Sequence, residues 1–283
     1  MGILDVVILS IVQGLTEFLP VSSSGHLVLA QIVLGLGEVP VLFDLILHLG
    51  TACATVIVYH QLIGAVLRDL GLWLAGPGEE RRTVYGRGNV KLALYILLST
   101  AVTGVLGVLF RESVKGLFTR PLLVSVLLAC TGFMLLATKF IPRKEKGIGD
   151  IGPGTPLLIG GAQAVAMMPG ISRSGATIST GLFLGMERSF AGSYSFLLSI
   201  PSILGASILE FLTSGDALKG LTSEQRPNMV VILSITGFIV SLLTGYVALK
   251  VLISFLSRGK LYIFSFYCLA IAVASATLML FYR

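Results

Sequence analysis

The sequence predicts an all-α polytopic membrane protein, built as an inverted-topology repeat with six transmembrane helices plus two re-entrant helical hairpins. Three observations carry that prediction. First, 55% of the 283 residues are hydrophobic, 12% are charged and the mean hydropathy is +0.94, whereas soluble domains carry about 25% charged residues. Second, six apolar segments reach the roughly 20 residues that a spanning helix needs. Third, two shorter apolar regions are broken by Pro, Gly and Ser and match each other at a constant offset of 150 residues.

In chain order, residues 3–18 form an apolar run that ends at Glu17 and Pro20, and a second run, 27–36, ends at Gly35 and Gly37. Spans follow at 41–60, 91–110 and 121–140. Residues 156–168 and 176–186 repeat the broken shape around Pro169-Gly170 and Gly175, and spans follow at 190–212, 229–252 and 261–282. Two half-helices joined by a polar break enter and leave on one face, and such backbone is tolerated at membrane depth only where protein buries it or water lines it. Each half is then one hairpin plus three spans. An odd number of crossings turns the second half upside down, the inverted-repeat plan. The whole of 1–283 reads as one integral-membrane domain with repeats at about 1–140 and 156–283.

Loop charge gives an expected orientation. Loops 61–90, 139–155 and 250–260, the 187–189 turn and the flanking Lys91 hold thirteen Lys and Arg. The opposite side holds six: Arg111, Lys115, Arg120, Lys219, Arg226 and Arg283. The positive-inside rule makes the first side cytoplasmic, puts both termini outside and lets the first hairpin dip in from the outer face. The +6 net charge therefore sits in loops, and no nucleic-acid partner is expected. Residues 76–90 read as a solvated connection. The opening Met-Gly-Ile-Leu-Asp has no basic n-region and no Ala-x-Ala site, so no cleaved leader is expected. Cys53, Cys130 and Cys268 are isolated in apolar segments, which points to buried packing rather than a zinc site or disulfides.

The chemistry lies in the breaks. The first reads Gln13-Gly-Leu-Thr-Glu17-Phe-Leu-Pro-Val-Ser22-Ser23-Ser24-Gly25-His26, the second Gln163-Ala-Val-Ala-Met167-Met-Pro-Gly-Ile-Ser172-Arg173-Ser174-Gly175-Ala176. Glu17 is costly in hydrocarbon and must face a cavity or a partner. Arg173 is the obvious ion-pair partner, while Ser22, Ser23, Ser24 and His26 supply the hydroxyls and imidazole of nucleophilic or acid–base catalysis. Ser24 is also a candidate N-cap for the helix that His26 begins. Arg173, between Ser172 and Ser174 at a half-helix N-terminus, suits a phosphate, because its fork binds two oxygens and the helix dipole favours an anion. His48 and His60 lack such neighbours, so structural or interfacial roles are expected. At the 150 offset Glu17 matches Met167, Ser23 matches Arg173 and His26 matches Ala176. That split suggests one composite site, with chemistry from one hairpin and anion binding from the other.

The two stretches closely resemble the signature motifs of the undecaprenyl-diphosphate phosphatase family, linked to bacitracin resistance, and the similarity covers essentially the whole chain. The resemblance implies a bacterial inner-membrane enzyme that hydrolyses the C55 polyprenyl diphosphate to monophosphate and inorganic phosphate, recycling the lipid carrier for peptidoglycan and other envelope glycans. It also implies a divalent cation, Mg2+ or Ca2+, held by Glu17. The family often has Glu where this chain has Gln13, and Gln13 can still offer an oxygen. On this reading Glu17, Ser23 and His26 are catalytic, and Arg173, Ser172, Ser174, Ser22 and Ser24 bind phosphate at a site open to the periplasmic face. Ser23, His26 and a water activated by Glu17 and His26 all stand as nucleophiles at this point. A lipid flippase or secondary transporter for an anion uses the same architecture, and an intramembrane serine protease is a third reading that gives Arg173 no task. Homodimerisation is left open.

Overall fold

The computed structural model describes residues 2–36, 39, 41–213 and 227–281. Glu38, a natural labelling position for orientation, and Lys219, Arg226 and Arg283 lie outside the described residues. The first half comprises α1 (Ile3–Phe18), α2 (Ser23–Val33), α3 (Val41–Ala75), α4 (Gly78–Gly86), α5 (Asn89–Phe118) and α6 (Pro121–Ala137), the last extended by a 3-10 turn, Thr138–Phe140. The second comprises α7 (Gly154–Val165), α8 (Arg173–Phe183), α9 (Arg188–Thr213), α10 (Pro227–Ser257) and α11 (Ile263–Phe281).

Six helices among the described residues, α3, α5, α6, α9, α10 and α11, are long and apolar enough to cross a membrane. The chain is a multi-pass membrane protein. Many large apolar side chains, among them Val105, Leu109, Ile235, Leu243 and Val273, point outward, as expected for spans bathed in lipid. By contrast α1, α2, α7 and α8 have only 16, 11, 12 and 11 residues. At 1.5 Å per residue they reach about 16–24 Å, short of the ~30 Å hydrocarbon core.

Several boundaries differ from expectation for local reasons. The first span does not stop at residue 60: α3 continues to Ala75 through a kink at Tyr59 (φ −104°, ψ 15°), since no proline interrupts 61–75. Nor is 76–90 a plain solvated connection. It contains α4, and buried Asp69 accepts hydrogen bonds from Arg87 (3.1 Å) and Asn89 (2.8 Å), which a buried carboxylate requires. Helices α2 and α8 begin at Ser23 and Arg173, ahead of the apolar runs, because Ser22 and Ser172 cap them by accepting from the N–H of Gly25 (3.3 Å) and Gly175 (3.1 Å). The cap of α2 is thus Ser22 and not Ser24. Of the three cysteines only Cys268 is buried; Cys53 is half-buried and Cys130 faces outward on α6.

The packing has a pattern. Helix α1 lies on α10 and α7 lies on α5, while α6 packs on α11 and α3 on α9. Exchanging residues by 150 converts the first pair into the second and returns each of the others to itself. Ser125 and Ser275, themselves 150 apart, share a hydroxyl hydrogen bond of 2.7 Å. Near the middle the two breaks lie back to back. Ser22 Oγ accepts from the Gly170 N–H (3.1 Å). Gly170 has φ +102°, and a Cβ there would also press on the Val124 carbonyl of α6 at 2.5 Å, so only glycine fits. Thr131 of α6 clasps the second break, donating to the Gly170 carbonyl (2.8 Å) and accepting from the Ser172 N–H (3.1 Å).

Candidate active site

The last turn of α1 carries Glu17, only 7% exposed, into the gap between the breaks. Its Oε1 accepts from Arg173 Nη2 at 2.5 Å. Its Oε2 accepts from Ser23 Oγ at 2.7 Å and from Gln13 Nε2, one turn earlier, at 3.0 Å. A lone buried charge is prohibitive, and this pair neutralises itself across the two halves. The other arm of the Arg173 guanidinium, Nη1, donates to the Ser195 carbonyl on α9 at 3.4 Å. Thr177, one turn after Arg173, shares a 2.6 Å hydroxyl bond with Ser195 and so braces the same wall. Glu17, Ser23 and Arg173 therefore meet directly, and Ser23 has a carboxylate placed to take its proton.

The remaining candidates divide. His26 bonds to neither Glu17 nor Ser23. Its Nδ1 faces the Ser22 carbonyl (2.8 Å), which can only accept, so Nδ1 carries the hydrogen. Its Nε2 meets the Tyr267 hydroxyl of α11 at 2.9 Å. Ser22, 2% exposed, is the one non-glycine residue with positive φ among the described residues (+70°), a conformation that costs on the order of 1 kcal/mol or more. Its Oγ already accepts from Gly25 and Gly170, so it pins the breaks together. Ser172 and Ser174, each 1% exposed, share a 3.2 Å bond. Ser24 sits 3.4 Å from Ser22 Oγ and is more open. Apart from the Gly25 and Gly175 N–H groups, which the serine caps satisfy, the first-turn N–H groups of α2 and α8 open toward the breaks.

Sequence reasoning missed His48. Its Nδ1 donates to the Asp44 carbonyl (2.8 Å), and its Nε2 lies 3.7 Å from Glu17 Oε2. His48, for which a structural or interfacial role is expected, stands beside the Glu17 carboxylate. Its signal was Asp44 and His48 one turn apart inside an apolar span, where ionisable groups mark function. Thr131, Ser195 and Tyr267 carried no such signal, being ordinary polar residues far away in sequence. Among the described residues no group of three or more His, Cys, Asp or Glu side chains forms a ready metal site.

The family described as Bacitracin resistance protein BacA matches residues 6–274. The chain belongs to that family. Among its relatives, the undecaprenyl-diphosphatase of Desulforapulum autotrophicum is 40% identical over 272 residues, 95% of each chain. That of Desulfosudis oleivorans is 41% identical over 265 residues, 93% of each. That of Korarchaeum cryptofilum is 39% identical over 280 residues, 99% of this chain and 100% of the relative.

Proposed function

We propose that this chain hydrolyses undecaprenyl diphosphate to undecaprenyl phosphate and inorganic phosphate, returning the lipid carrier for peptidoglycan and envelope glycan synthesis. The relatives' names supply the substrate. The observation that carries the chemistry is the Ser23–Glu17 contact of 2.7 Å beside the Arg173 guanidinium. When the diphosphate enters, its oxygens compete with Glu17 for Arg173, aided by Ser24, the hydroxyls of Ser172 and Ser174, and the first-turn N–H groups. Glu17, freed of its guanidinium, accepts the Ser23 proton as Ser23 Oγ attacks the terminal phosphorus. The bond from that phosphorus to the bridging oxygen breaks, undecaprenyl phosphate leaves with its electron pair, and a phosphoseryl group remains. Water then attacks this group, inorganic phosphate departs and Ser23 regains its proton. His26, outside contact with Ser23, serves that second step by taking up the proton released by the attacking water.

A divalent cation fits the donor set. Gln13 Oε1 is buried without a hydrogen-bond partner one turn before Glu17, and these two side chains would hold an Mg2+ or Ca2+ ion through their oxygens. Bound there, it would offset the charge of the diphosphate.

The short α1–α2 and α7–α8 pairs and the packing exchanged by the 150 offset support re-entrant hairpins in two inverted halves. With the loop-charge count, this favours the inner membrane, with the site reached from the outer leaflet. The same exchange favours a second reading, lipid flipping by the same fold. Purified protein incubated with a polyprenyl diphosphate tests the choice. Release of inorganic phosphate that a chelator suppresses is expected; no release under any cation would replace hydrolysis by transport.

A further inference from the structure

The imidazole of His26 is held at both nitrogens, and only one of its partners belongs to the hairpin. Nδ1 donates to the Ser22 carbonyl within the same turn, so in the neutral ring Nε2 is the acceptor and the Tyr267 hydroxyl is the donor. The two rings are also stacked, with centroids 5.5 Å apart and planes within 10°. Tyr267 comes from α11, 241 residues away, and is 44% exposed. Behind it the neighbouring Cys268 thiol donates to the Pro20 carbonyl of the first break at 3.6 Å. This turn of α11 is therefore fitted to the hairpin by two consecutive side chains.

We propose that Tyr267 is a positioning residue for the reaction, acting through His26 and not on the substrate. A hydroxyl both donates and accepts. It donates to Nε2 while the imidazole is neutral; when the ring takes up a proton, the hydroxyl hydrogen passes to Nε2, the hydroxyl oxygen takes the incoming proton, and Tyr267 is left accepting from Nε2–H. The ring thus keeps one orientation through a change of charge, with Nδ1 fixed on Ser22 throughout. Phenylalanine would keep the stacking and lose that continuity. The proposal rests on the role given to His26 above.

The test is a double-mutant cycle on detergent-purified protein with a short polyprenyl diphosphate, comparing wild type, Tyr267→Phe, His26→Ala and the double variant. Tyr267→Phe is expected to lower kcat about tenfold, the rate equivalent of one hydrogen bond, with KM within twofold. In the His26→Ala background the same substitution should cost less than twofold, because its target is gone. Tyr267→Gln, which restores a donor without the ring, should recover part of the lost kcat. A loss in kcat of under threefold, or an equal loss in both backgrounds, overturns the proposal. Near-normal turnover in His26→Ala alone would instead strike at the assignment of His26. Thermal unfolding of each variant in the same detergent separates either result from misfolding.

Discussion

Gln13 and Gln163 occupy matching positions one turn before the breaks, and their surroundings show what separates the two hairpins. Gln163 spends its amide on neutral hydroxyls, donating to Thr103 (3.1 Å) on α5 and Ser202 (2.8 Å) on α9. Gln13 donates to Glu17, which is already engaged by Ser23 and Arg173. One glutamine ties neighbouring helices together; the other sits at a charge. The frame of capping serine, glycine and short helix is common to both hairpins, and its work is architectural. The frame departs from itself at the residues given roles in the proposed mechanism: Glu17 opposite Met167, Ser23 opposite Arg173. On the proposed mechanism, the Gln163 network is scaffold and the Gln13 network is reactive, because only the latter holds a carboxylate.

This contrast can be broken at several strengths. Glu17→Gln keeps the shape and removes the base, so turnover should fall by about a thousandfold; phosphate release at more than a tenth of the wild-type rate would show that Ser23 has another base. Arg173→Lys retains charge without the fork, and a loss of about a hundredfold in kcat/KM, mostly through KM, is expected. An unchanged KM there would place the phosphate elsewhere. Next come the paired glutamines. Gln13→Ala should lower activity about tenfold and raise the cation concentration needed, as loss of a hard oxygen ligand demands. Gln163→Ala should leave activity within threefold and cost about 1–2 kcal/mol of stability, through two lost hydrogen bonds, in thermal unfolding. Equal effects at both positions would erase the distinction. The smallest effect belongs to His48→Leu, about fivefold in kcat, on the scale of one weakened polar contact at Glu17; no change would make His48 a bystander.

Much of this was legible in the chain. Six spans, two broken elements and the Glu17–Arg173 pairing follow from hydropathy, helix breakers and the cost of lone charges. Helix ends were read less well, since an apolar run marks where lipid begins while a cap such as Ser22 marks where the helix begins. Nothing in a periodicity reports that α3 runs on to Ala75 or that Asp69 is clasped by Arg87. The site was legible where its members are neighbours in sequence. His48 and Tyr267 reach it from other helices, and His26 turns away from Ser23 because the Ser22 carbonyl claims its Nδ1. Such choices are made by tertiary packing, which brings Tyr267 to His26 across 241 residues.

In the proposed mechanism a serine on one hairpin attacks a phosphate held by an arginine on the other. Its most direct test uses polyprenyl diphosphate labelled in the terminal phosphate, a rapid quench in neutral detergent and mapping of the labelled peptide. Label is expected on Ser23 in the wild-type protein, with none in Ser23→Ala and a greatly reduced amount in Arg173→Ala. Label on His26, or full turnover with no labelled residue at any quench time, would contradict it.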